Sequence, residues 1–369
     1  MTEKPKYYSL VNILKYAARY YIIIGERSNG KTYSVKERIV TRYAKDGAQG
    51  AIIRRWGDDL KGKRAQQMFE DIVANGLVKK LTSGKWDSIT YQSGCWYFSK
   101  FDEKLNKNVM CFQPFCFAFS LNAVEHDKST SYSNVCTILF DEFTTRKLYL
   151  DDEFIVFMNV LSTIIRQRDN VEIFMCGNTV NKYCPYFTEM GLTNVTKMQQ
   201  GDIDLYQYGE SGLTVAVEYC DTSKKSKKRS DVYFAFDNPK LNMITKGSWE
   251  IPTYPHLPRK YKKEDVRYNF FILFCNEIVH CEVIYLDDCS FVYCHRKTTP
   301  IKEDTNILIY TVEYSEKRMY RRHLHRPITD RERKIWKYFV TDKVFYQDND
   351  IGEVVRNYIA WSKSDGGIQ

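Results

Sequence analysis

No apolar run in this 369-residue chain approaches the ~20 residues that cross a bilayer, so no membrane partner is expected. Met1 to Leu10 is polar and charged and lacks the apolar core of a secretory signal. The eleven cysteines form no C-x-x-C pair, and several sit inside apolar runs (Cys136, Cys176, Cys275). That is how a reducing compartment uses cysteine, as a small free hydrophobe. Only six histidines are present, none at ligand spacing from the cysteines, so a zinc site is not expected. Internal repeats are absent too. Aromatics, by contrast, are plentiful: 28 Tyr and 21 Phe favour extensive strands and leave rings over for stacking on bases. The length allows two domains, since single cores rarely grow much beyond about 250–300 residues.

Residues 25–32 read Gly-Glu-Arg-Ser-Asn-Gly-Lys-Thr, a complete G-x-x-x-x-G-K-[ST] phosphate loop. A β-prone run, Tyr20 to Ile24, leads into it, and a helix-compatible stretch from Lys31 to about Ala44 follows. The glycines let successive N–H groups curl around a polyphosphate, and the helix adds its positive end. The nucleotide-binding set expected is Gly25, Arg27, Ser28, Asn29, Gly30, Lys31 and Thr32, with ATP and Mg²⁺ as cofactors. Lys31 reaches the β/γ-phosphates and the Thr32 hydroxyl ligates the metal.

The run Val135 to Phe140 reads as a buried parallel strand and ends in Asp141-Glu142. Strand carboxyl ends form the ligand crevice of an open α/β sheet, which places Asp141 at the Mg²⁺ and Glu142 one residue further, toward the attacking water. The next apolar strand, Val171 to Cys176, ends in Gly177-Asn178, where the Asn178 amide is read as a γ-phosphate sensor; a plain turn residue is the alternative. For transition-state charge, Arg27 could act in cis, while Arg146 is the first choice for a finger reaching a neighbouring subunit and Lys128 a second cation. Arg166 and Arg168 are read as helix C-terminal cations.

Charge is unevenly spread over a net +9. Lys317 to Lys337 carries nine Lys/Arg against Asp330 and Glu332, and Lys224-Lys225-Ser226-Lys227-Lys228-Arg229 is almost pure charge. Such runs are commonly solvated faces; two of them in a chain with a nucleotide site favour DNA or RNA as partner. The contacts expected are Lys224, Lys225, Lys227, Lys228, Arg318, Arg321 and Arg322.

Strand and helix signals alternate over residues 1–200, implying an α/β domain with a parallel sheet and strands at 20–24, 51–55, 135–140 and 171–176. Asp58 to Asn75 reads as an amphipathic helix, 86–121 as an inserted β-meander, and Glu153 to Arg168 as a helix packed on the sheet. Residues 201–230 read as a linker or hinge. Residues 231–369 form a separate mixed α/β domain with strands over 269–275, 279–285, 291–294 and 307–314 and helices over 330–339 and 351–361.

Gly25-x-Arg27-x-x-Gly30-Lys31-Thr32, the Arg54-Arg55 pair, the block from Ser133 to Phe143 and Asn178-x-Val180…Pro185-Tyr186-Phe187 together resemble the genome-packaging ATPases of small, protein-primed, short-tailed bacteriophages. The likeness covers roughly residues 8–190. It implies a homomeric, pentameric ring at the portal of an empty capsid, driving double-stranded DNA inward by ATP hydrolysis and tethered through a structural RNA. It places the chain in the host cytoplasm, transiently at the capsid portal. It also matches Arg146 and Lys128 to residues acting on a neighbour's nucleotide. The resemblance extends to large terminases, so the first domain is expected to be an additional-strand ATPase. The second is then expected to be RNase H-like but a vestigial nuclease, because Phe270–Cys275 meets Asn276 rather than an aspartate. Outside this family, the same motifs fit a helicase-like or recombination ATPase, or an ATP-gated nucleic-acid-binding adaptor with little hydrolysis.

Overall fold

The computed structural model describes residues 7–126, 131–145, 149–150, 152–179, 182–209, 211–221, 254–302 and 305–364. The chain divides into two compact units, one formed by Met1–Arg146 and Asp152–Glu250, the other by Lys147–Asp151 and Ile251–Gln369.

The first unit is a mixed α/β structure. Its strands are β1 (Tyr20–Gly25), β2 (Gln49–Arg54), β3 (Ser88–Gln92), β4 (Cys95–Asp102), β5 (Lys107–Met110), β6 (Cys116–Ser120), β7 (Val135–Asp141), β8 (Glu172–Asn178), β9 (Ile203–Tyr208) and β10 (Leu213–Tyr219). They form one sheet in the order β3-β4-β6-β2-β7-β8-β1-β10-β9, with β5 paired to β4. From β6 to β10 the pairing is parallel throughout. The four strands read from the sequence are the central ones, and the reason is burial on both faces. Ile22, Ile23, Ile24, Ile52, Ile53, Leu139, Phe140, Phe174 and Met175 are all fully buried, so each strand reads as an unbroken apolar run. Helix α1 (Lys31–Asp46) follows β1 directly and buries Val35, Ile39 and Val40.

Three expectations for this unit change. Asp58–Asn75 is not one helix but a 3₁₀ turn (Gly57–Leu60), α2 (Gly62–Gln67) and α3 (Glu70–Ala74), followed by α4 (Leu77–Leu81). The break at Phe69 lets its ring pack edge-on against Trp96 and Phe115. The inserted β-meander of residues 86–121 is present as β3–β6, and it is more than an insert, since β6 pairs in parallel with β2 and extends the main sheet. Residues 201–221 are no linker: β10 pairs with β1 and β9 with β10, giving the sheet its far edge. Residues 222–230 of the expected linker lie outside the described residues. Downstream of β7, α5 (Glu153–Ile165) buries Phe157, Val160, Leu161 and Ile164; of the stripe read from the sequence (Phe154, Phe157, Met158, Leu161, Ile165) only Phe157 and Leu161 are buried, and α6 (Pro185–Glu189) buries Tyr186 and Phe187.

The second unit carries β11 (Val266–Phe274), β12 (Glu277–Tyr285), β13 (Ser290–Arg296), β14 (Leu308–Thr311), β15 (Tyr320–Arg321) and β16 (Val344–Tyr346), with α7 (Asp330–Val340) and α8 (Asn349–Ser364). The sheet order is β15-β14-β11-β12-β13-β16. The first three strands form an antiparallel meander, and β14 and β15 add in parallel beside β11. Cys275 and Asn276 turn β11 into β12 with φ of 50° and 63°. Two successive positive φ values are the signature of a two-residue hairpin, so Asn276 is there for its tolerance of that conformation. Its identity therefore says nothing about a metal-binding acid; β11 and β14 themselves contain no Asp or Glu.

Candidate nucleotide site

The phosphate loop connects β1 to α1, and its backbone needs glycine. Gly30 sits at φ +96°, where a side chain is strained and a Cβ would also come within 3.1 Å of the Tyr7 Cβ. At Gly25 (φ +155°) a Cβ would lie 3.0 Å from the Cys220 Cβ at the end of β10. Within the loop, Asn29 is buried and its Oδ1 accepts from the Lys31 N–H at 3.2 Å. The Lys31 ammonium is buried over the loop and donates to the carbonyls of Glu26 (2.6 Å) and Gly25 (3.3 Å) and to the Asn178 Oδ1 (3.4 Å). Asn178 stands level with Gly25 in the β8–β1 register, which is why its amide reaches the same lysine.

On the other side, the Thr32 hydroxyl donates to Asp141 Oδ1 at 2.6 Å. Neighbouring ligands of an Mg²⁺ octahedron are separated by about 2.9 Å, so this oxygen pair fits one edge of a coordination sphere that Thr32 and Asp141 could share. When bound, Mg²⁺ would neutralise developing charge on the phosphates. Glu142 follows at φ +57° with its side chain 61% exposed, turned away from the strand's buried faces. The thiol of Cys176, fully buried in β8, is pushed well up by that burial and by Asp141 beside it, and burial pushes that of Cys220 up to about 12.

Sequence spacing missed the residue that ties these groups together. Arg54, at the end of β2, donates to Asp141 Oδ2 at 2.6 Å and to Glu142 Oε2 at 2.9 Å, with Asp59 at 3.7 Å. The available signal was its place at the carboxyl end of the strand next to β7. Arg55 is buried and turns the other way: it grips Glu153 of α5 at 2.7 and 2.8 Å and donates to the Phe143 carbonyl at 2.6 Å. Tyr186 completes that cluster with a 2.7 Å bond to Glu153. Residues 7–10 close the loop from behind. The Tyr8 N–H donates to the Asn29 carbonyl at 2.9 Å, its carbonyl accepts from Ser34, and its phenol donates to Glu218 at 2.6 Å. Burial pushes the Tyr8 phenol and the Glu218 carboxyl up.

The structure thus brings together Gly25, Asn29, Gly30, Lys31, Thr32, Asp141, Glu142 and Asn178. Arg27 and Ser28 are exposed on the loop. Arg146, Lys128, Lys224, Lys225, Lys227 and Lys228 lie outside the described residues. Arg168 is a structural residue, capping the carbonyls of Tyr132, Ser133, Val135 and Ile164. The basic run of the second unit separates into two kinds of residue. Arg318, Arg333, Lys334 and Lys337 are exposed. Arg321 is tied to the buried Glu332 at 3.1 Å, and Arg322 bonds the Val312 carbonyl and lies over the Trp361 ring. Arg321 and Arg322, expected to face nucleic acid, are thus half-buried and engaged by partners within the second unit.

A β1–α1 phosphate loop, an acid pair ending the parallel strand next but one (β7) and an amide ending the strand between them (β8) define a phosphate-loop nucleotide site. Residues 99–234 match the family model of the podovirus DNA encapsidation protein (Gp16). The chain is 26% identical over 189 residues to the DNA packaging proteins of Bacillus phages phi29 and PZA; the match covers 50% of this chain and spans about half the length of those relatives. Among solved structures, the bacteriophage Phi-29 viral genome packaging motor assembly is similar with a TM-score of 0.58 and 19% identity, over 95% of this chain and 96% of that one. The Phi-28 gp11 DNA packaging motor matches with a TM-score of 0.55 and 14% identity, over 98% of each chain. These two likenesses show a shared fold across both units. The resemblance expected from the motifs is met by all three comparisons.

Proposed function

We propose that the chain is a subunit of a ring-forming, ATP-driven motor that moves double-stranded viral DNA into a preformed capsid. The observation that carries this reading is the convergence of Lys31, Thr32, Asp141, Glu142 and Asn178 at one end of the sheet, in a chain whose fold is that of phage packaging motors. Thr32 and Asp141 hold Mg²⁺, Lys31 holds the phosphates, Glu142 takes the proton of the attacking water, and Asn178 couples the phosphate end to β8. Arg54 positions Glu142. Arg146 acts on a neighbour's nucleotide, with Lys128 beside it, in a pentameric ring at the portal that engages a structural RNA. The insertion of β8 between β1 and β7 supports an additional-strand ATPase.

For the second unit, a β13-β12-β11-β14-β15 order of antiparallel meander plus two parallel strands supports an RNase H-like fold. The lack of acids on β11 and β14 supports its having lost nuclease chemistry, which would need clustered carboxylates for two metals. Steady-state phosphate release by the full chain, with and without double-stranded DNA and empty capsids, tests the proposal. Hydrolysis stimulated by both is the expected result. Equal rates in all conditions would leave a nucleotide-gated adaptor as the better reading.

A further inference from the structure

Away from the nucleotide site, strands β12 and β13 bring two histidines and a glutamate together. His280 and His295 are direct cross-strand partners, their rings 4.7 Å apart between centroids. Glu282 lies two residues along from His280 and therefore projects from the same face. On each of the three residues one ligating atom lies within 4.8 Å of the other two. This face is the one opposite Phe270, whose ring meets Phe339 of α7.

Two of the three have ordinary partners. Glu282 accepts from the Tyr261 hydroxyl, and His295 Nε2 stands 3.5 Å from a Glu282 oxygen. On His280 the Nε2 is sealed from solvent without a hydrogen-bond partner. A buried ring nitrogen left unmade costs about 1–3 kcal/mol, so an ion pair between Glu282 and His295 alone does not account for the arrangement.

We infer that His280, Glu282 and His295 form a site for a divalent transition-metal ion, Zn²⁺ in particular. Two imidazoles and a carboxylate suit Zn²⁺ and exclude Mg²⁺, which takes oxygen ligands. Tetrahedral ligands about 2.0–2.1 Å from zinc are separated by roughly 3.3 Å, so the widest gap closes by about 1.5 Å, within reach of side-chain rotation. Three protein ligands leave one place for water, and the partial exposure of Glu282 and His295 (18% and 27%) admits it. Tyr261 orients the carboxylate from behind. Cysteine-spacing rules miss such a site because its ligands are joined by strand pairing instead of sequence proximity.

The test uses the full chain stripped with chelator, then titrated with Zn²⁺ in excess Mg²⁺ by calorimetry, and with Co²⁺ by absorption. One equivalent should bind with a Kd below about 10 µM, and the Co²⁺ complex should show ligand-field bands without a thiolate charge-transfer band. His280→Gln, His295→Gln and Glu282→Gln should each weaken that equivalent by ~10²-fold or more, and Tyr261→Phe by about 10–100-fold. Circular dichroism checks that each variant folds. Should the histidine variants not fold, the Tyr261→Phe titration decides, because that hydroxyl acts only through the ligand it holds. Absent binding, binding that persists unchanged in the folded variants, or a thiolate signature from the cysteines overturns the inference.

Discussion

Glu142 and Lys31 illustrate how two charges in one crevice divide the work. The Lys31→Ala change removes a positive charge that already spans Gly25, Glu26 and Asn178, and nucleotide affinity should fall. Glu142→Gln keeps shape and binding but cannot accept a proton, so turnover should drop by about 10²–10⁴-fold with the nucleotide dissociation constant nearly unchanged. Equilibrium binding of a fluorescent ATP analogue beside phosphate release separates the two; near-normal hydrolysis by Glu142→Gln would refute its role as base. Arg54→Ala should also leave binding largely intact while lowering turnover about 10²-fold, because Glu142 is exposed and Arg54 is what fixes it. Unchanged turnover would make Arg54 a structural ion pair. Lys31 and Thr32 were legible in the sequence because their chemistry demands fixed spacing within a strand–loop–helix, and Asp141 and Glu142 because they end an unbroken apolar strand. Arg54 was visible only as a motif residue without a role, since its partners are 87 and 88 residues away.

Among the elements, those buried on both faces were the easy ones to read. Strands β1, β2, β7 and β8 are continuous apolar runs, whereas β9 (Ile-Asp-Leu-Tyr-Gln-Tyr) mixes polar residues and is followed closely by Gly209 and Gly212, both at positive φ. That text resembles a linker, and only pairing with β1, almost 200 residues earlier, reveals β10 as a sheet strand. The elements around the site are fastened by Arg55 of the β2 end and Glu153 of α5, both buried. Breaking such a pair from one side strands a charge, which costs about 3–5 kcal/mol. Glu153→Ala should therefore lower the thermal midpoint by roughly 10 °C, measured by calorimetry. A shift under a few degrees would mean that the guanidinium finds other acceptors.

For the whole molecule, catalysis across subunits and grip on a polyanion are the properties to measure. A finger supplied in trans is typically worth ~10³ or more in rate. Arg146→Ala chains mixed with Lys31→Ala chains should regain activity that neither has alone, because some interfaces then pair an intact Arg146 with an intact phosphate loop. No recovery at any ratio, with assembly verified, would place Arg146 in cis. DNA binding should weaken with salt in proportion to the phosphates neutralised, about 0.9 in log–log slope for each. Neutralising the exposed Arg318, Lys334 and Lys337 should flatten that slope by roughly two to three units, whereas Arg321→Gln should destabilise the fold through Glu332. A slope unmoved by the triple change would leave the cluster an ordinary solvated face.

The phosphate loop also has a mechanical neighbour. Gly25 lies against Cys220, where even a methyl group would collide, and the Cys220 N–H donates to the Ile24 carbonyl at 2.9 Å. β1 is gripped by parallel strands on both flanks, so it has no free edge along which to slip. The loop's shape is thus set by the strand beside it as well as by its own glycines, and a side chain at Gly25 would press on that flank first.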